Sequence, residues 1–172
     1  MIDLPYSPLQ TPLVAVEPLD LAAIEDLLSS ETDPSRRCDD WHPDFPREDD
    51  LDGVGATTDL TGWSSRQVRR LADRLVVGTI GFFGPPEDDE DPEVEVGFGL
   101  VGQARGQGLM TEALGAVLTL TDQVGVRVRA GTQRSNEASL ALLRSAGFVE
   151  RGSGGPEDAE REVVLVRAVP AS

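Results

Sequence analysis

The chain has 172 residues, 15 basic and 31 acidic, so its net charge is −16, which argues against nucleic acid and anionic membrane surfaces as partners and suits a cationic substrate such as an amine. No apolar run approaches the ~20 residues of a membrane span, and no basic leader precedes an apolar stretch. One cysteine and one histidine allow neither an internal disulfide nor a metal cluster, so a single soluble, cytoplasmic, metal-free domain over residues 1–172 is expected. Every basic residue is arginine and asparagine occurs once, a composition that resembles that of high-GC bacteria.

In chain order, residues 1–11 hold two prolines and little pattern, and read as a loose lead-in. Leu13–Val16 reads as a first strand. Asp20 can cap a helix whose apolar face is Leu21, Ile24, Leu27 and Leu28. Residues 30–52 turn acidic and proline-containing, which predicts a structured loop or helical turn around Trp41, His42 and Phe45. The two aromatics either line a pocket or pack beneath the loop, and His42 reads as a surface histidine. Cys38 is expected to be inert, with only Arg36 and Arg37 nearby in sequence to stabilise a thiolate. A short helix is expected over Leu51–Leu60. Gln67–Leu71 and Leu75–Phe83 read as a hairpin around Ala72–Arg74, and the second run is apolar enough for a central strand. The proline- and acid-rich residues 85–92 form a charged tip leading into the next strand.

That next strand opens the most informative stretch. In Glu93–Leu100, Val94, Val96, Phe98 and Leu100 alternate with Glu93, Glu95, Gly97 and Gly99. Met110, Ala113, Leu114, Val117 and Leu118 then recur at helical spacing. The glycine-bearing turn between strand and helix, Gly102 to Gly108, leaves backbone N–H groups unpaired at the positive end of a helix dipole, which suits phosphate. A Walker A loop is excluded because the chain has no lysine. Gly97-x-Gly99-x-x-Gly102 spells a dinucleotide fingerprint, but its first two glycines fall inside the strand rather than on the turn that opens the helix. Beyond the helix, Val126–Ala130 fits a strand parallel to Glu93–Leu100. Asn136 can cap a helix that Gly147 ends. Phe148–Glu150 and Arg161–Arg167 are the last two strands, joined across a glycine- and acid-rich connection.

Two motifs on these elements carry a family likeness. Gln103-x-x-Gly106-x-Gly108 resembles the pyrophosphate loop of the GNAT N-acetyltransferase superfamily. Asn136-x-x-Ser139-x-x-Leu142-Leu143-x-x-x-Gly147-Phe148 resembles its second signature, one strand later. With Glu95-Val-Gly97-Phe98 before the loop and Thr111-Glu112-Ala113 after it, the likeness is nearest the RimJ/RimL-type branch. The resemblance implies an α/β (α+β) fold: a mixed sheet of about six to seven strands, splayed parallel central strands and about four helices.

It further implies that acetyl-CoA is the acyl donor. Gln103, Ala104, Arg105, Gly106, Gly108, Leu109 and Met110 would hold its pyrophosphate, Phe98 and Leu100 would offer backbone partners to the pantetheine arm, and Asn136 would bond that arm or serve only as a helix cap. A backbone N–H of the Glu93–Leu100 strand would meet the carbonyl oxygen. Glu95 is the candidate base, with Glu93 or water as alternatives. Many relatives carry a Tyr acid where this chain has Leu143, which leaves Ser139 as the candidate acid or a packing residue. The implied activity is direct acetyl transfer to a primary amine of a small molecule or protein N-terminus. An acyl-CoA-binding domain without turnover is the alternative, and a homodimer is an assembly to consider.

Overall fold

The computed structural model describes residues 1–56, 60–152 and 162–171. Alternation of β-branched residues builds the sheet: Val14 and Val16 of β2 (Val14–Pro18), Val68 of β3 (Arg66–Arg70) and Val94 and Val96 of β5 (Glu93–Leu100) turn inward. Between β3 and β5 lies β4 (Val76–Phe82), buried on both faces over most of its length, as its unbroken apolar run predicts. β1 (Leu9–Gln10) adds one edge. β6 (Arg127–Gln133), β8 (Glu162–Arg167) and β7 (Val149–Glu150) complete the other side, in the order β1-β2-β3-β4-β5-β6-β8-β7. Eight strands are present among the described residues, against the six to seven expected; the added one is β1, whose two residues are too few to leave a period in the sequence, whereas β7 falls on the strand expected at Phe148–Glu150.

All neighbours are antiparallel except β5 and β6, joined through α3 (Leu109–Val124). α3 buries Ala113, Leu114, Val117 and Leu118 and packs over β2, β5 and β6. α1 (Leu21–Ser29) and α2 (Glu48–Gly55) pack on each other, with α2 lying over β4 and β5; α4 (Glu137–Ser145) packs on β6. Four α-helices and one mixed sheet match the expected class. No helix among the described residues is long and apolar enough to cross a membrane.

Four expectations change. α2 starts at Glu48 rather than Leu51, because Glu48, Asp49 and Asp50 complement the helix dipole and Asp50 accepts from the Arg47 main-chain N–H at 2.9 Å. The helix expected to run to Leu60 ends at Gly55, with residues 57–59 outside the described residues, as is the connection at 153–161. On α1 only Leu27 is buried, while Leu21 and Leu28 are exposed.

The fourth change concerns residues 1–11, which are fastened rather than loose. Leu4 is buried, and Trp63 Nε1 donates to the Ile2 carbonyl at 3.1 Å. The reason is Arg66, fully buried at the start of β3, whose guanidinium donates to the carbonyls of Ser7 and Pro5, each at 2.7 Å. A buried cation without acceptors would be prohibitively costly, so the chain before β1 must wrap it. Burial lowers the guanidinium's pKa from its ordinary value, with the carbonyls standing in for water.

Arg66→Ala is therefore expected to cost about 3 kcal/mol in denaturant unfolding, and removing residues 1–8 a comparable amount, since both changes break the same contacts.

Candidate active site

The site begins where β5 and β6 part. Their register holds for Glu93–Arg127, Val94–Val128 and Glu95–Arg129 and then stops, although both strands continue. Phe83 N–H donates to the Glu95 carbonyl at 3.0 Å and Val101 N–H to the Val77 carbonyl at 2.8 Å, so odd-numbered residues of β5 turn their main chain toward β4. By alternation, Phe98 and Leu100 turn theirs toward the gap. Arg105 Nε fills one position there, donating to the Leu100 carbonyl at 3.2 Å.

After Leu100 the chain makes one 3₁₀ turn over Gly102–Ala104 and reverses into α3 through Gly106 (φ 73°) and Gly108 (φ 78°). These left-handed positions suit glycine, and they aim the following amides outward. Glu112 N–H makes the first bond of the helix, to the Gly108 carbonyl at 3.2 Å. The backbone N–H groups of Gly106, Gly108, Leu109, Met110 and Thr111 have no acceptor among the described residues. They form a nest for an anion at the positive end of a sixteen-residue helix. The nearby Glu112 carboxylate does not compete for it, because it is turned to the residues just before β2, where it accepts from the Leu13 N–H at 2.9 Å and from the Thr11 hydroxyl.

A groove of about 510 Å³ runs from this nest between the open edge of β5 and α4. It is lined by Phe98, Gly99 and Leu100, by Arg105, Gly106, Gly108, Leu109 and Met110, and by Asn136, Ser139 and Leu142 of α4. Of the donor-site residues expected from sequence, only Gln103 and Ala104 lie off the groove. Ala104 is buried in the core. The Gln103 side chain meets His42, whose Nδ1 accepts from the Asp44 N–H at 3.1 Å and whose Nε2 therefore donates to Gln103 Oε1 at 3.2 Å. His42, expected at the surface, is thus buried as a strut between the Trp41–Phe45 segment and the loop. Trp41 and Phe45 pack edge to face with their rings 5.5 Å apart and line neither cavity. Asn136 is a helix cap, accepting from the Ser139 N–H at 3.1 Å, and lines the groove as well.

Glu95 does not face the groove. It lines a second cavity of about 370 Å³, under α2, bounded by Thr79–Phe83 of β4 and its continuation, by Gly97 and Phe98 of β5, and by Gly131 and Glu162. Asp49, Asp52, Glu95 and Glu162 give this cavity an acidic wall. Glu95 and Ser139, the expected catalytic pair, therefore stand in different cavities. Glu95 Oε2 lies 2.9 Å from Arg129 Nη2. Glu93 is committed elsewhere: Arg151 hydrogen-bonds it and Arg127 lies 3.7 Å away. Those two arginines and Arg129 hold its carboxyl below the usual carboxylate range, against a smaller opposing effect of burial. The Cys38 thiol is pushed up, first by burial and then by Asp40, Asp26 and Asp39, in keeping with an inert cysteine. Among the described residues, no group of three or more His, Cys, Asp or Glu is placed to hold a metal ion.

The sequence reading missed Arg47, which lines both cavities. Its guanidinium is held by Asp50, a fully buried carboxylate that also accepts from Thr79 Oγ1 at 2.5 Å. Nothing in the local sequence announced it, because its reach onto β4 and β5 is set by how α2 packs on the sheet.

A model of the acetyltransferase (GNAT) domain matches residues 13–149. Similar solved structures include the ribosomal-protein-S5-alanine acetyltransferase of Vibrio fischeri (TM-score 0.64, 14% identity, 94% of this chain and 96% of that one). A GNAT-family acetyltransferase of Bacillus anthracis aligns with TM-score 0.62 at 16% identity, over 94% of this chain and 98% of that one. The microcin C7 self-immunity acetyltransferase, solved with acetyl-CoA and AMP, aligns with TM-score 0.64 at 13% identity, over 98% and 100% of the two chains. No curated protein matches the chain.

Because the fold lowers the Glu93 pKa, the ionised carboxylate stabilises the protein above the ordinary glutamate range, and that contribution is lost as pH falls through the lowered value. Glu93→Gln should therefore unfold more easily than the parent at pH 7, with the difference shrinking as pH falls below the ordinary glutamate range in matched denaturant titrations.

Proposed function

The chain belongs to the acetyltransferase (GNAT) domain family, and from that premise we propose that it moves the acetyl group of acetyl-CoA directly onto a primary amine. The observation that carries this reading is the meeting of two cavities at the parting of β5 and β6, one bordered by an anion nest and the other by carboxylates. The pyrophosphate is assigned to the amides of Gly106–Thr111, with Arg105 adding positive charge. The pantetheine arm follows the free edge at Phe98 and Leu100, with the Asn136 amide on its far side. The amine enters from the other cavity.

The acidic wall supports a cationic acceptor, whether a small-molecule amine or a protein N-terminus. The likeness of both signatures to the RimJ/RimL-type branch is in keeping with either. In direct transfer the amine nitrogen attacks the thioester carbonyl, the carbon–sulfur bond breaks, and coenzyme A leaves as thiol. Glu95, on the acceptor side, takes the amine proton through water. Ser139, on the donor side, gives a proton to the departing thiolate. Their placement in separate cavities supports that division of labour.

Acetyl-CoA at a hundredfold its dissociation constant should stabilise the fold by about 2.7 kcal/mol. Gly106→Glu should abolish this, because it puts a negative side chain at a left-handed position in the nest. Thermal shift with and without acetyl-CoA decides the point, and absence of any shift for the parent would overturn the reading. Thiol release across a panel of amines separates transfer from binding without turnover.

Ser139→Ala should lower turnover roughly tenfold to a thousandfold with folding intact, and Glu95→Gln should lower turnover more than acetyl-CoA affinity. Parent-level turnover in either variant would remove that residue from the mechanism.

A further inference from the structure

The donor groove and the acidic cavity share three lining residues: Arg47, Asp49 and Phe98. The Asp49 side chain is 86% exposed and points to solvent, and Phe98 brings hydrocarbon. Arg47 is the polar group fixed at the junction. Its Nε donates to Asp50 Oδ2 at 3.0 Å and its Nη2 to Asp50 Oδ1 at 2.8 Å, a two-pronged hold that sets the plane of the guanidinium. Asp50 in turn cannot swing, because it is buried on the side of α2 that meets β4 and also accepts from Thr79 Oγ1 and the Arg47 main chain.

The held guanidinium lies directly on the main chain of β5 at Gly99. A Cβ at that position would stand 2.1 Å from Nη2 and 2.8 Å from Nη1, so only a residue without a side chain leaves room for it. This is the length of β5 that β6 has already left. Nη1 makes no hydrogen bond to a described residue, and the carboxylate nearest it is Asp49, 3.8 Å away. A guanidinium keeps its charge at any working pH, so this is a permanent, oriented donor pair facing the junction.

Resting on the reading of acetyl transfer above, we propose that Arg47 is a catalytic residue, the electrophilic group at the point of transfer. With the donor in one cavity and the acceptor in the other, the carbonyl under attack sits at the junction, within reach of Nη1. As the amine nitrogen bonds to the carbonyl carbon, the C=O electron pair moves onto oxygen, and Arg47 stabilises that oxyanion. As the C=O bond reforms, the carbon–sulfur bond breaks, its electron pair leaves with sulfur, and the thiolate takes up a proton. The same positive charge disfavours an ammonium beside it, which helps the acceptor react as free amine. The alternative is that Arg47 and Asp50 only fasten α2 to the sheet.

Arg47→Gln should lower kcat about a hundredfold to a thousandfold, with acetyl-CoA affinity and amine KM within threefold of the parent. Since that change leaves Asp50 buried without its cation, Gly99→Ala provides a second route. It pushes Nη2 and Nη1 off their places without removing the cation, and it should lower kcat in the same direction with a smaller loss of melting temperature than Arg47→Gln. The deciding measurement is the carbonyl stretch of acetyl-CoA labelled with ¹³C at the thioester carbonyl, bound to parent and variants. A donor on the oxygen lowers that frequency in the parent, and both variants should return it toward the value in solution. If both folded variants keep the parent frequency and kcat, Arg47 is only a fastener and the proposal falls while acetyl transfer stands. If the parent itself neither binds acetyl-CoA nor releases thiol, the underlying reading falls with it.

Discussion

Everything functional in this molecule follows from one interruption of hydrogen bonding. β5 pairs with β4 over Val96–Leu100 but with β6 over Glu93–Glu95 only, so its far edge at Phe98 and Leu100 presents main-chain groups that no strand satisfies. Main-chain groups of this kind require partners, and Arg105 Nε supplies the one at the Leu100 carbonyl. The groove, the nest at the start of α3 and the cap of α4 all open onto that gap.

Around the parting, charge is organised by distance from the chemistry. Where β5 and β6 still pair, Glu93 is bound by Arg127 and Arg151, and these contacts hold the two strands together before they split. Arg167 does similar work farther out, donating to Asp122 at 2.5 and 2.8 Å and to the Ala146 carbonyl at 3.1 Å, so that α3, β8 and the end of α4 keep fixed positions. One step along β5, Glu95 pairs with Arg129 at the mouth of the acidic cavity. Beyond it, the buried Asp50 aims Arg47 at Gly99. A large negative net charge thus coexists with arginines placed where strands and cavities meet. The ones nearest the gap are oriented by buried or half-buried carboxylates rather than left to solvent.

Much of the donor side was legible in the chain itself, because it is made of local pattern. A strand alternation, a turn with glycines at left-handed positions and a helix periodicity follow one another within about thirty residues, and the free amides are a consequence of that succession. Asn136, Gly147 and the apolar stripe between them mark α4 in the same way. His42, Gln103 and Arg66 were misjudged or passed over because burial decides their roles, and no neighbouring residue announces it. A histidine among prolines and aspartates looks solvated until the loop carrying it docks on Gln103, sixty-one residues away. Arg66 looks like any strand arginine until the first residues of the chain close over it.

The sequence by itself determined the order of elements, the glycine turn with its free amides and the presence of Asn136 and Ser139 on one helix start, since each depends on residues within a few positions of one another. Only the tertiary structure decided that Glu95 and Ser139 belong to opposite cavities, because a strand and a helix have no relative orientation until both pack on the sheet. It alone decided that Arg47 rests on Gly99, fifty-two residues apart in the chain and in contact only because Asp50 and Thr79 lock α2 onto β4. Local hydrogen-bond geometry is written in short-range pattern; the meeting of side chains across a sheet depends on the burial of the whole core.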